Sequence, residues 1–88
     1  KLNIITLNVR GIAAEKKRYK IFSWCMNQGA DICILQETHC TKSKLFKFRS
    51  SWKGPSHYAV SDSNFSKGVG ILFNPDLNAN LISTFEID

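Results

Sequence analysis

The sequence predicts an α/β fold. Two short apolar runs, residues 2–7 and 32–35, flank a segment whose apolar residues recur at helical spacing. Each run also ends in a polar outlet, Asn8-Val9-Arg10-Gly11 after the first and Gln36-Glu37-Thr38-His39 after the second. If both runs are parallel strands of one sheet, Asn8 and Glu37 emerge at the same carboxyl edge, where open α/β sheets place their ligands. A carboxylate and a carboxamide at that edge suit a hard, oxygen-liking cation such as Mg²⁺, with Mn²⁺ as the alternative.

Each element has a local reason. The run 2–7 is rich in β-branched residues and is followed by Gly11, which predicts a strand buried on both faces. From 14 to 28 the pattern turns helical: Ile21, Phe22, Cys25 and Met26 share a face, while Lys16, Lys17 and Lys20 can stay in water. Gly29 then stands where a C′ glycine ends a helix. Residues 31–36 give a second buried strand, so the first 36 residues read as a βαβ unit with a right-handed crossover. Thr41 is placed to cap a short helix in which Leu45, Phe48 and Trp52 recur at i, i+3 and i+7, and Gly54-Pro55 ends it. Three strand candidates follow at 57–61, 69–73 and 80–87. Turn-forming clusters, Ser61-Asp62-Ser63-Asn64 and Asn74-Pro75-Asp76, separate them, which predicts a β-meander.

Composition narrows the class. With 43% hydrophobic and 22% charged residues, the 88-residue chain reads as one globular unit, neither disordered nor collagen-like. No apolar stretch approaches the roughly 18 residues of a spanning helix, so no membrane partner is expected. Lys1 opens the chain close to an apolar run, and Glu86-Ile87-Asp88 closes it inside a strand-like pattern. Residues 1–88 are therefore expected to be a single partial domain whose C-terminal part is missing. Three cysteines without C-x-x-C spacing suggest neither a disulfide framework nor a zinc knuckle, and Cys25 and Cys33 fall in apolar patterns. A reducing, intracellular compartment follows as the expectation.

Twelve Lys and Arg against seven acids leave a net charge of +5, which fits a polyanionic partner. The plainer reading of Lys16-Lys17-Arg18-Lys20 and Lys42-Lys44-Lys47-Arg49 is a pair of solvated helix faces. Trp24, Phe46, Phe48 and Trp52 have a spacing that favours core packing over base stacking. Gly68 and Gly70 alternate with Val69 and Ile71, a pattern of close strand packing rather than of a phosphate-cradling loop. His57 reads as a surface or edge histidine.

Three strings carry a resemblance: Leu7-Asn8-Val9-Arg10-Gly11, the run from Ala30 through Gln36-Glu37-Thr38-His39, and the stretch from Ser63 through Ser66-Lys67-Gly68-Val69-Gly70-Ile71-Leu72-Phe73. In order and spacing they resemble the opening of the endonuclease/exonuclease/phosphatase superfamily, the DNase I-like fold. Within it, the chain is most similar to the apurinic-type endonuclease domain of non-LTR (LINE-type) retrotransposons. The resemblance spans essentially all 88 residues but only the first part of the family's domain. It implies the N-terminal part of a DNase I-like α/β sandwich.

Carried over residue by residue, the resemblance makes Glu37 the family's metal-binding glutamate and Asn8 the asparagine that organises the metal and phosphate site, both counted as catalytic. Arg10 stands where repair-type members often have Asp or Asn. It reads either as a phosphate contact through its planar fork or as a solvated turn residue. His39 is expected to help orient Glu37 or to contact phosphate, and Ser66 and Lys67 to approach DNA from a turn or to sit in an ordinary exposed hairpin. The implied function is Mg²⁺-dependent DNA nicking by a retrotransposon protein, with a reverse transcriptase domain downstream and action in the nucleus. The family's later tyrosine, Asp-x-Asn pair and closing Asp-His motif have no counterpart before Asp88, so the 88 residues alone are expected to be inactive. Two alternatives stay open: a non-catalytic basic nucleic-acid-binding remnant, and a phosphatase of the same superfamily.

Overall fold

The computed structural model describes residues 2–60 and 68–77. Strands β1 (Ile4–Asn8) and β2 (Ile32–Gln36) run parallel, in register from Ile4 opposite Ile32 to Asn8 opposite Gln36. Helix α1 (Glu15–Asn27) connects them. A 3-10 turn (Lys42–Lys44) then leads into helix α2 (Leu45–Ser51), followed by strands β3 (Ser56–Ala59) and β4 (Val69–Phe73). The sheet order is β1-β2-β4-β3, with β4 antiparallel to both its neighbours. Among the described residues this is an α/β arrangement of one mixed four-stranded sheet and two α-helices. The strand predicted at 57–61 begins one residue earlier, at Ser56; Ser61 and the candidate at 80–87 lie outside the described residues.

Register sorts the side chains onto two faces. Ile5 and Leu7 of β1 stand opposite Cys33 and Leu35 of β2, which stand opposite Leu72 and Gly70 of β4. Both helices pack on this face. Phe22, Cys25, Phe48 and Trp52 bury against Cys33, Leu35, Tyr58 and Leu72, with Val9, Ile12 and Cys40 completing the cluster. Each large side chain so buried contributes about 1.5–3 kcal/mol of transfer free energy. Gly70 is needed here because a Cβ would come within 2.8 Å of the Tyr58 ring, as the glycine pattern predicted. The three thiols are core groups. The mutual interaction of the Cys25 and Cys33 thiols raises the pKa of Cys25 and lowers that of Cys33, and burial pushes the Cys40 thiol up.

On the opposite face Ile32 and Phe73 are buried, with Leu2, Ile34, Ile71 and Leu77 packed partly against them. Strand β1 departs from its expected burial on both faces, since Ile4 is 48% exposed and Thr6 is also open. The reason is that α1 and α2 both cover the Ile5 and Leu7 side of the strand.

The helices correct four further expectations. The buried stripe of α1 is Arg18, Phe22 and Cys25, at i, i+4 and i+7. Trp24, two positions from Phe22, turns to the opposite side, and Met26 lies at the edge of the stripe; both are exposed. Phe46 is related to buried Phe48 in the same way and is 67% exposed, so these aromatics do not all enter the core. Arg18, counted in the sequence among solvated charges, is 3% exposed. Thr41 begins the 3-10 turn, but its hydroxyl meets Ser43 Oγ at 3.1 Å instead of capping, and its carbonyl accepts the Lys44 amide. Gly29, at φ +70°, follows α1 as predicted.

Candidate functional site

Because β1 and β2 end in register, the two loops that follow them leave the sheet together. Their backbones stay joined past the strands: Val9 N donates to Gln36 O (3.0 Å), Gly11 N to Glu37 O (2.6 Å) and Ile12 N to Thr38 O (3.1 Å). On the far side, Thr38 N donates to Gly68 O at 3.1 Å, tying the second loop to the start of β4. Thr38 is fully buried, and its hydroxyl accepts the Cys40 amide at 3.3 Å. Sequence reasoning did not single out Thr38; its signal was its position between Glu37 and His39.

This pairing forces unusual backbone. Arg10 (φ +51°), Glu37 (φ +58°) and His39 (φ +60°) are the non-glycine residues with positive φ among those described. Each such residue costs on the order of 1–3 kcal/mol, and such strain concentrates where side chains must be held for function. All three belong to the two outlets the sequence singled out. Gly11 takes φ +84° beside them, and a Cβ there would fall on the imidazole of His39.

Asn8 joins the loops through its side chain. Its Nδ2 donates to Glu37 Oε2 at 2.7 Å, and its Oδ1 accepts the Arg10 amide at 3.1 Å. The second bond orients the first: a backbone N–H needs the amide oxygen, so the nitrogen is left for the carboxylate. Asn8 is thus both an Asx-turn residue and a holder of Glu37. Glu37 is half-buried, and its Oε1 takes no hydrogen bond from the described residues.

The remaining candidates divide. His39 is brought into the site, its ring packed against Gly11 and its Nε2 buried without a hydrogen-bond partner. Arg10 is exposed, and its carbonyl accepts Lys17 Nζ at 3.2 Å, a lysine the sequence reading left on a solvated face. His57 is exposed on β3. Ser66 and Lys67 lie outside the described residues. A groove of ≈ 380 Å³ lined by Tyr19, Phe22, Met26 and Trp52 is on the helical side and includes none of these residues.

The donor chemistry fits a hard cation. Mg²⁺ typically takes one or two carboxylates and completes its shell with water and phosphate oxygens. Glu37 offers one oriented carboxylate with an uncommitted oxygen, while Asn8 supports it from behind. Among the described residues no group of three or more His, Cys, Asp or Glu side chains converges, so these residues do not build a closed zinc site of the structural kind. No model of a known protein family matches the chain.

Proposed function

We propose that this chain carries the metal-binding opening of a Mg²⁺-dependent DNA endonuclease domain of the DNase I-like class, of the kind found in non-LTR retrotransposons. The observation that supports it best is the 2.7 Å bond from Asn8 to Glu37 at the paired ends of two parallel strands. Glu37 would hold the cation, and Asn8, bonded to its Oε2, would keep the carboxylate aimed. The bound cation supplies polarisation of a phosphodiester and stabilisation of the charge that develops on it. Arg10, exposed beside the pair, contacts a phosphate oxygen through its fork. The +5 charge favours DNA as the partner. In the whole protein a reverse transcriptase domain follows, and the nicked DNA is nuclear.

The resembled family takes its general base from motifs that these 88 residues do not contain. The test therefore joins the chain to the sequence that follows it in its gene and measures nicking of supercoiled DNA with Mg²⁺. Wild-type activity that disappears in Glu37→Gln supports the reading. Nicking by Glu37→Gln at the wild-type rate overturns it.

A further inference from the structure

Arg18 is a buried cation that meets no carboxylate among the described residues. Nη1 donates to the carbonyls of Ile12 (3.3 Å) and Ala13 (2.9 Å), and Nε donates to Ser51 Oγ at 2.8 Å. Ser51 is itself anchored, donating to Lys47 O at 2.6 Å. The guanidinium carbon lies 5.0 Å from the Phe48 ring centroid and 5.8 Å from that of Tyr19. No ion pair with a carboxylate relieves the charge among the described residues. Burying a charge on dipoles and ring faces alone is costly, and an apolar side chain of similar volume would fill the same space without that cost.

What the guanidinium does that an apolar chain cannot is hold two successive carbonyls. Ile12 and Ala13 end the loop that leaves β1. Two amides of the same loop, Gly11 N and Ile12 N, donate to Glu37 O and Thr38 O. Hydrogen bonds joined by the covalent backbone of residues 11–13 therefore connect Arg18 on α1, through the carbonyls it grips, to the backbone that keeps Glu37 at φ +58°. Such a conformation persists where its surroundings over-determine it. A lysine would keep the charge but lose the fork that spans both carbonyls and Ser51.

We propose that Arg18 is a positioning residue for the Asn8 and Glu37 site, setting the Glu37 backbone through the loop that ends at Ala13. It rests on the reading of that pair as cation-binding. The effect is local, because the strand pairing between β1 and β2 does not pass through the guanidinium.

The test uses the 88-residue chain and compares wild type with Arg18→Lys, and with Ser51→Ala as a milder loss of the Nε contact. Amide hydrogen exchange is read residue by residue, and Mn²⁺ affinity by water proton relaxation. Arg18→Lys is expected to speed exchange at Gly11 and Ile12 by about 10-fold while Cys33 in β2 is unchanged, and to weaken Mn²⁺ binding by about 10-fold. Ser51→Ala is expected to move the same two amides in the same direction by a smaller factor. Methylguanidinium added to Arg18→Ala is expected to slow them again. Unchanged exchange at Gly11 and Ile12 overturns the proposal, as does an equal rise at Cys33, which marks a merely structural role. A wild-type chain that binds no Mn²⁺ overturns the cation-site reading separately, and the exchange comparison still decides whether Arg18 holds the loop.

Discussion

Asn8 donates its side-chain amide to Glu37 Oε2 across 2.7 Å, joining residues 29 positions apart in the chain. The bond satisfies one oxygen of the carboxylate and leaves the other for a ligand. It also couples two loops that each carry left-handed, non-glycine backbone, so the geometry of one cannot relax without the other.

Removing either partner should therefore act on cation affinity more than on folding. Glu37→Gln keeps the shape and the hydrogen bond but removes the charge, and Mn²⁺ binding should be lost. Asn8→Ala should weaken Mn²⁺ binding by about 10- to 100-fold, as loss of a carboxylate's supporting hydrogen bond does. Its cost in stability should be about 1 kcal/mol, because Asn8 is exposed and the net worth of such a bond is modest. Relaxation titration of Mn²⁺ and urea unfolding of the same samples separate the two effects.

Gly11 should tolerate no side chain while His39 is present. Gly11→Ala must hold an L-residue at φ +84° and place its Cβ on the His39 ring. A loss of about 1–3 kcal/mol is expected from the backbone alone, with the clash added. Pairing it with His39→Ala should recover the clash but not the backbone strain. The urea midpoints of the two single variants and the double variant should therefore show coupling of about 1 kcal/mol.

The two phenylalanines of α2 should differ sharply. Phe48 is fully buried and packs edge-on against Tyr58 at 5.5 Å between centroids. Phe48→Ala should cost about 3–5 kcal/mol. Phe46 is 67% exposed, and Phe46→Ala should stay within about 0.5 kcal/mol of wild type. Equal losses in chemical denaturation would contradict the orientation of α2.

Tyr58 should make the fold sensitive to alkali. Burial is the main cause that pushes its phenol from 10.0 up to about 12, and its hydroxyl donates to Phe48 O at 3.4 Å. The folded state thus binds the proton more tightly than the unfolded state. Its contribution is fully present below about pH 10 and is lost as pH rises toward about 12, at up to about 1.4 kcal/mol per pH unit. The difference in stability between wild type and Tyr58→Phe, followed by urea unfolding from pH 9 to pH 12 (roughly the span of the two pKa values), should show that slope. A flat difference would contradict it.

Much of this was legible in the residues. The order strand, helix, strand and the facing of the outlets at Asn8 and Glu37 follow from hydrophobic period and from glycines at loop positions, which are local properties of the chain. The apolar period of α1 placed Phe22 and Cys25 in the core. It did not exclude Met26 or Trp24, because periodicity defines a stripe but not its width, which the neighbouring elements set.

Tertiary structure decided the rest. Nothing local indicates that β4 inserts between β2 and β3, because antiparallel pairing with β2 is a long-range choice. Arg18 reads like its lysine neighbours until the loop at Ile12 and Ala13 and the serine of α2 supply acceptors for a buried guanidinium. The sequence by itself determined the class of fold and the two outlets, since both depend on residues near one another in the chain. Only the folded chain decided which atoms of Asn8 and Glu37 meet, and that a buried cation on α1 braces the loop beside them, because hydrogen-bond partners are set by proximity in space.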